Sequence, residues 1–148
     1  MNEQTNFEII WVEGEISPSM TANFLERISK SGNTGGIDIF VGQIRADLKG
    51  DKKVKAIQYT SHPEMANKIL EEITQNAIST HQLSHVYICH SLGDVFVGGA
   101  SMLVIAAAAH RAEAFACCRE IVEKIKSEAP IWGQEILDNN EREWKVNS

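Results

Sequence analysis

The stretch that decides the fold is "ASMLVIAAAAHRAEAFACCREIVEKIKSEAP", residues 100–130. Its first third is almost continuously apolar, which is typical of a strand buried in the middle of a sheet. The remainder places apolar side chains three or four residues apart, which indicates an amphipathic helix that ends before Pro130. A buried strand followed directly by such a helix predicts a sheet with helices packed against it.

The bulk properties of the chain limit its function. At 148 residues, it is long enough for one domain, residues 1–148, with its own core. The net charge of −6 excludes a broad basic surface for nucleic acid, so any anion site must be local. The longest apolar run is too short to cross a bilayer, and the N-terminus lacks the pattern of a signal peptide. We therefore expect a cytoplasmic protein that acts on a small ligand, without a nucleic-acid or membrane partner.

Two further helical patterns occur earlier in the chain. The first begins at Ser17, before a proline, and the second at Ser61, which forms a capping box with Glu64. Between them, strand patterns over 36–45 and 54–60 flank a polar loop and suggest a long hairpin. The whole order is β-α-β-β-α-β-β-α with a short tail. This order predicts the α+β class, as a sandwich with largely antiparallel pairing.

The cysteines and most of the histidines are interpreted as structural. Cys117 and Cys118 are adjacent within the helical pattern, where a disulfide framework is implausible. Three histidines lie close together in the sequence: His81, His85 and His90. The pattern changes from helix to strand between them, so they need not share a face, and we expect no metal site. Cys89 and His90 are neighbours on a strand and point to opposite faces, which does not suit a nucleophile and its base.

His110 and Arg111 stand where the buried strand gives way to the helix. The first turn of a helix offers free backbone N–H groups and a favourable dipole for anions. A guanidinium at that place adds a forked donor for phosphate or carboxylate. The alternative is a solvated first turn with an ordinary salt bridge, and the sequence alone favours neither.

Lys126 lies near the other end of the same helix. The helical wheel places it about 60° from Arg111. An apolar face within about 40° of Arg111 comprises Phe115, Cys118, Val122 and Ile125. Lys126 thus borders the core, either as a snorkelling side chain or as an amine made reactive by partial burial and nearby cations. It is about 22 Å from Arg111 along the axis, so the two share a site only across subunits or over an extended ligand.

Five motifs, in order and with consistent spacing, carry a resemblance to a known family. They are "FVGQIR" (40–45), "PEMA" (63–66), "HSLG" (90–93), "AHRAEAF" (109–115) and "KSEAPIW" (126–132). Together they make residues 36–144 similar to the large, catalytic subunit of molybdopterin synthase. The block from "AHRAEAF" to "KSEAPIW" is the most specific part.

The resemblance implies both a fold and an activity. The fold is an α/β hammerhead-type sandwich with an additional antiparallel β-subdomain. The activity is sulfur transfer from the C-terminal Gly-Gly thiocarboxylate of a small ubiquitin-like carrier subunit to cyclic pyranopterin monophosphate, which yields molybdopterin for molybdenum cofactor biosynthesis. The enzyme is a homodimer that becomes a heterotetramer with the carrier, and the step needs no cofactor or metal. The alternative is a weakly active or non-catalytic homologue that binds the carrier or the pterin in a regulatory role.

The resemblance also implies the site residues. Lys126 and Arg45 are the catalytic candidates. The substrate-binding candidates are Gln43, Ile44, Arg45, His110, Arg111, Lys126, Gly133, Gln134 and Glu135. One departure stands out, because the family usually has a second lysine directly after the tryptophan of the last motif, where this chain has Gly133.

Overall fold

A computed structural model of the chain describes residues 6–146, so residues 1–5 and 147–148 of the predicted single domain lie outside the described part. The strands are β1 (Asn6–Glu13), β2 (Gly36–Gln43), β3 (Leu48–Lys49), β4 (Lys52–Ser61), β5 (Leu83–Phe96), β6 (Ala100–Ala108), β7 (Ile131–Leu137) and β8 (Arg142–Trp144). The helices are α1 (Pro18–Ser29), α2 (Pro63–Thr80) and α3 (Arg111–Glu128).

The apolar strand β6 is central, as its sequence predicted. It pairs antiparallel with β2 on one side and with β5 on the other, and β5 also pairs in parallel with β1. Because successive strand residues point to opposite faces, β6 supplies two cores. Val104 and Ala106 pack in the cluster that contains α2 and α3, whereas Leu103 and Ile105 pack with α1.

A second, antiparallel sheet continues from the far end of β5. Residues 93–96 of this 14-residue strand pair with β4, which in turn pairs with β7, and β7 pairs with β8. A separate apolar cluster, which includes Val54, Ile57 and Val95, lies under this sheet. The three helices packed on one sheet and the smaller antiparallel sheet beside it confirm the α+β class.

Three local predictions were wrong. The expected hairpin between 36–45 and 54–60 does not form, because β2 pairs with β6 while β4 pairs with β5 and β7. The expected short tail forms β7 and β8. Helix α2 is capped by His62, whose Nδ1 accepts from the Met65 N–H, and the predicted cap Ser61 instead donates to the Pro130 carbonyl.

Helix α3 begins at Arg111 and ends before Pro130, as predicted. The residues just before α3 lie directly against the residue before β2, where a Cβ on Gly35 would come within 2.2 Å of the Ala109 carbonyl oxygen. The glycine therefore permits the close approach of the two backbones. The predicted apolar face was wrong at Phe115, which is 56% exposed because the buried face is rotated away from it, towards Ile121.

Candidate active site

A polar pocket lies where the two sheets meet. It is bounded by the end of β2, the last turn of α3, β4, β7 and the residue that follows β8. Its polar lining comprises Gln43, Tyr59, His90, Ser101, Lys126 and Lys145. The pocket therefore combines two amines with neutral hydrogen-bonding groups, and it is enclosed by apolar side chains such as Ile125 and Ile131.

The two lysines reach the pocket from different elements. Lys126 is half-buried in the last turn of α3, as the helical wheel predicted. Lys145 follows β8 and is also half-buried, and its backbone N–H donates to the Gly133 carbonyl at 2.8 Å. Burial lowers the pKa of the Lys145 amine, and the positive charge of Lys126 lowers it further. The pocket thus holds two cations that repel each other.

His90 forms a neutral wall of the pocket. It is 5% exposed, and its Nδ1 lies 2.8 Å from the Ser91 carbonyl oxygen. A carbonyl only accepts, so Nδ1 carries the proton and Nε2 is the unprotonated nitrogen of the neutral ring. Burial lowers the pKa of His90 to about 4, and Lys126 and Lys145 act in the same direction against the opposing hydrogen bond to Ser91. The imidazole is therefore neutral at physiological pH.

Tyr59 packs edge-on against His90, with ring centroids 5.0 Å apart. Its hydroxyl donates to Ser101 Oγ at 3.2 Å. Burial raises the pKa of Tyr59, so the phenol stays protonated. Tyr59 and His90 add no charge to the pocket, and the two lysines dominate its potential.

Four of the predicted site residues line this pocket: Gln43, Ile44, Lys126 and Gly133. Arg45 follows Ile44 but points outward, with its side chain 78% exposed and 3.3 Å from Asp47. The other two predicted residues of β7 do not line the pocket. Gln134 accepts a hydrogen bond from Arg142 at 3.2 Å, and Glu135 forms an ion pair with Lys49 at 3.3 Å.

His110 and Arg111 lie at the opposite end of α3 and do not line the pocket of the same chain. His110 is the helix N-cap, makes no side-chain capping bond and is exposed. Arg111 packs its backbone against Gly36, where an added Cβ would lie 3.1 Å from the Arg111 Cα. Within one chain, the structure therefore keeps His110 and Arg111 apart from Lys126, as the length of the helix had indicated.

Sequence reasoning missed several residues that line the pocket. Tyr59, Ser101 and Lys145 had no motif to mark them, and His90 had been considered only as a metal ligand or a base. The alternation of β5 was a usable signal, because it placed His90 on the face opposite Cys89. That prediction is confirmed, since Cys89 packs with the α1 cluster.

The cysteines and His81 lie outside the pocket. All three cysteines are free and buried, and burial raises the pKa of each thiol to about 12. His81 lies 3.2 Å from both Glu113 and Glu120.

Among residues 6–146, no group of three or more histidine, cysteine, aspartate or glutamate side chains is placed to hold a metal ion. No helix in the same range is both long and apolar enough to cross a membrane.

The fold and the pocket define the class of protein: an α+β subunit with a smaller antiparallel sheet and a cationic, partly buried pocket between its sheets. A family model described as "MoaE protein" matches residues 14–128, which is more than half of the chain. The chain belongs to this family, as its motifs predicted.

Individual relatives agree with this assignment. A molybdopterin synthase catalytic subunit from Pyrococcus abyssi is 38% identical over 111 residues, which cover 75% of this chain and 74% of that protein. The crystal structure of molybdopterin synthase from Staphylococcus aureus matches with a TM-score of 0.79 and 23% identity, over 97% of this chain and 99% of that one. A complex of subunits 1 and 2 of molybdopterin-converting factor from Helicobacter pylori matches with a TM-score of 0.77 and 22% identity, over 92% and 88%. The two structures confirm the fold.

Proposed function

We propose that this chain is a molybdopterin synthase catalytic subunit. It transfers sulfur from the C-terminal thiocarboxylate of a small carrier protein to cyclic pyranopterin monophosphate. The family membership and the name of the Pyrococcus abyssi relative support the reaction. The observation that carries the proposal is the pocket itself, in which Lys126 and Lys145 face neutral Tyr59 and His90. Such a pocket, with two amines and no carboxylate among its lining residues, attracts an anion.

The chemistry of the reactants fits this arrangement. A thiocarboxylate and a cyclic phosphate are both anionic, and cations in a partly buried site bind them more strongly than in water. Lys126, at the end of a rigid helix, acts as the positioned amine that moves protons or stabilises an anionic intermediate. Arg45 lies beside the pocket and holds the phosphate from its rim. Neutral His90 and protonated Tyr59 carry no charge, so they leave the positive potential of the lysines uncancelled.

A homodimer explains how His110 and Arg111 take part. Strand β2 is at one end of the sheet order, so within residues 6–146 its outer edge pairs with no other strand. Three apolar side chains on one face of β2 are exposed: Ile37, Ile39 and Val41. Unpaired edges of this kind are sites of association between chains.

We propose that two copies pair along β2 about a two-fold axis. In antiparallel pairing centred on the strand, the Gly36 end of one copy lies beside the Gln43 end of the other. Arg111 packs against Gly36, and Gln43 lines the pocket. The pairing therefore carries the His110 and Arg111 of each subunit towards the pocket of its partner, and the separation within one chain is overcome.

The carrier and the location complete the proposal. The Helicobacter pylori structure is a complex of two different subunits. By analogy, this chain binds a small ubiquitin-like carrier that ends in Gly-Gly, and the dimer becomes a heterotetramer. The complex works in the cytoplasm, and cell fractionation tests that location.

The direct test is incubation of the purified chain with thiocarboxylated carrier and cyclic pyranopterin monophosphate, followed by detection of molybdopterin. The matched control is the same carrier with an ordinary C-terminal carboxylate. We expect product only with the thiocarboxylate. A chain that binds the carrier without forming product would instead be the non-catalytic homologue.

A further inference from the structure

Lys145 reaches the pocket from the strand end opposite Gly133. In the pairing of β7 with β8, Gln134 lies opposite Trp144, and the next residues out are Gly133 and Lys145. The hydrogen bond from the Lys145 N–H to the Gly133 carbonyl, at 2.8 Å, continues this register. Directly opposed residues of an antiparallel pair project to the same face. Lys145 therefore faces the side on which a residue larger than glycine at position 133 would point.

The local packing favours glycine at position 133. A Cβ on Gly133 would meet Ile57 Cγ2 at 3.0 Å and Tyr59 Cε1 at 3.3 Å, so a side chain requires both neighbours to shift. The same Cβ would be 3.7 Å from Lys145 Cβ, in ordinary contact. A side chain at Gly133 therefore requires Ile57 and Tyr59 to give way, whereas the residue opposite already supplies an amine to the same pocket.

The surroundings of Lys145 suit a ligand with negative charge. Lys126 and Lys145 line one cavity, and the positive charge of Arg45 adds to theirs at Lys145. The acidic groups that act on Lys145 from its surroundings are Glu135 and Asp47. Each also has another basic partner, because Glu135 pairs with Lys49 and Asp47 with Arg45. The cavity therefore retains a positive potential, and an anion bound between the two lysines relieves their repulsion.

We propose that Lys145 is a second catalytic residue of this pocket, which contacts an anionic group of the reactants opposite Lys126. This inference rests on the proposed sulfur transfer. The anionic group is either the phosphate of the pterin or the thiocarboxylate of the carrier, since both present oxygen or sulfur acceptors to an ammonium group.

The test compares Lys145→Met and Lys145→Arg with the control Lys124→Met. Methionine keeps the apolar stem and removes the charge. Lys124 is on α3 but pairs with Glu120 at 3.2 Å, away from the pocket. We expect Lys145→Met to lower kcat/KM by about 10- to 150-fold, the range for a lost hydrogen bond to a charged group. Lys145→Arg should recover part of this loss because it keeps the charge, and Lys124→Met should resemble the wild type.

Two arms distinguish the two anions. If Lys145 holds the phosphate, calorimetry with cyclic pyranopterin monophosphate alone shows weaker binding by Lys145→Met. If it holds the thiocarboxylate, pterin binding is unchanged and the KM for the carrier rises. An active wild type with an unaffected Lys145→Met variant would overturn the role of Lys145 and leave the proposed function standing.

A measurement that needs no turnover distinguishes a failure of the inference about Lys145 from a failure of the proposed function. Reductive methylation with a ¹³C label allows the Lys145 amine to be titrated by NMR in the wild type and in Lys126→Met. We expect the pKa of Lys145 to rise when the second cation is removed. An inactive wild type would contradict the proposed function. An unchanged pKa would show that the two amines do not share a cavity, and would overturn the inference about Lys145 whatever the activity.

Discussion

Replacement of Lys126 with alanine should abolish most sulfur transfer and leave the fold nearly unchanged. The core face of α3 is formed by other residues, among them Ile121 and Ile125, which are almost fully buried. Lys126 only borders this face, in the last turn of the helix. Its loss therefore removes an amine from the pocket without opening a cavity in the core.

The expected loss of stability in Lys126→Ala is much smaller than the expected loss of activity. A cation in the last turn of a helix contributes about 0.3–1 kcal/mol through the helix dipole. Alanine, as the best helix former, offsets part of that loss. A positioned acid–base group contributes about 10²- to 10⁴-fold in rate, or about 3–5 kcal/mol of barrier. A fall in rate of a hundredfold or more thus cannot result from the small change in stability.

The assay measures molybdopterin formed by Lys126→Ala at saturating carrier, together with urea unfolding of the same sample. Lys126→Arg should also fail, because a guanidinium stays protonated and differs in shape from an amine. The control is Lys124→Ala, which removes a partly exposed i,i+4 pair with Glu120 worth about 0.3–0.5 kcal/mol and should keep full activity. Near-normal product from well-folded Lys126→Ala would refute the catalytic role and make this lysine a snorkelling side chain.

Three further predictions concern acid stability, the anion site and assembly. The folded pKa of His90, about 4, lies below its unfolded value of 6.5, so the unfolded chain binds more protons between these values. The free energy of unfolding should fall by up to about 3 kcal/mol as the pH drops through this window, and urea unfolding of His90→Gln should show a flatter pH dependence. Arg111→Ala should weaken pterin binding by about 1.5–3 kcal/mol in calorimetry, and unchanged affinity would place the anion elsewhere. Ile39→Lys on the exposed face of β2 should convert the dimer to a monomer in light scattering, whereas an unchanged mass would contradict pairing through β2.

The parts of the fold that depend on local sequence were predictable. The start of α3 at Arg111, its end before Pro130 and the half-buried position of Lys126 all follow from helical periodicity and from the proline. The two-faced burial of β6 follows from its continuous apolar run. Each of these features is set by residues within a few positions along the chain.

Strand partners were not predictable in the same way. The alternation of apolar side chains identified β2 and β4 as strands, but neither pattern specifies a neighbour. After β2, the Ile44 N–H donates to the Gly99 carbonyl at 3.0 Å, which ties the chain to the β5–β6 turn instead of directing it into a hairpin. That contact joins residues more than fifty positions apart, and no local pattern contains it. Helix length alone predicted that Arg111 and Lys126 are far apart, but only the strand pairing shows that the pocket lies at the Gln43 end of β2 and Arg111 at the Gly36 end.

Lys145 is the clearest case of a site residue that local sequence does not predict, because the register of β7 with β8 alone determines that its side chain faces the pocket. The sequence shows only a lysine near the C-terminus and a glycine twelve positions earlier, where relatives of this family have a lysine according to the resemblance. The pairing of β7 with β8 puts the two residues opposite each other, and the hydrogen bond to Gly133 fixes that register. A slip of one residue would turn the Lys145 side chain to the other face of the sheet and leave Lys126 as the only lysine of the pocket among the described residues. Loss of the second lysine at Gly133 therefore does not by itself predict loss of activity, because the opposite strand returns an amine to the same cavity.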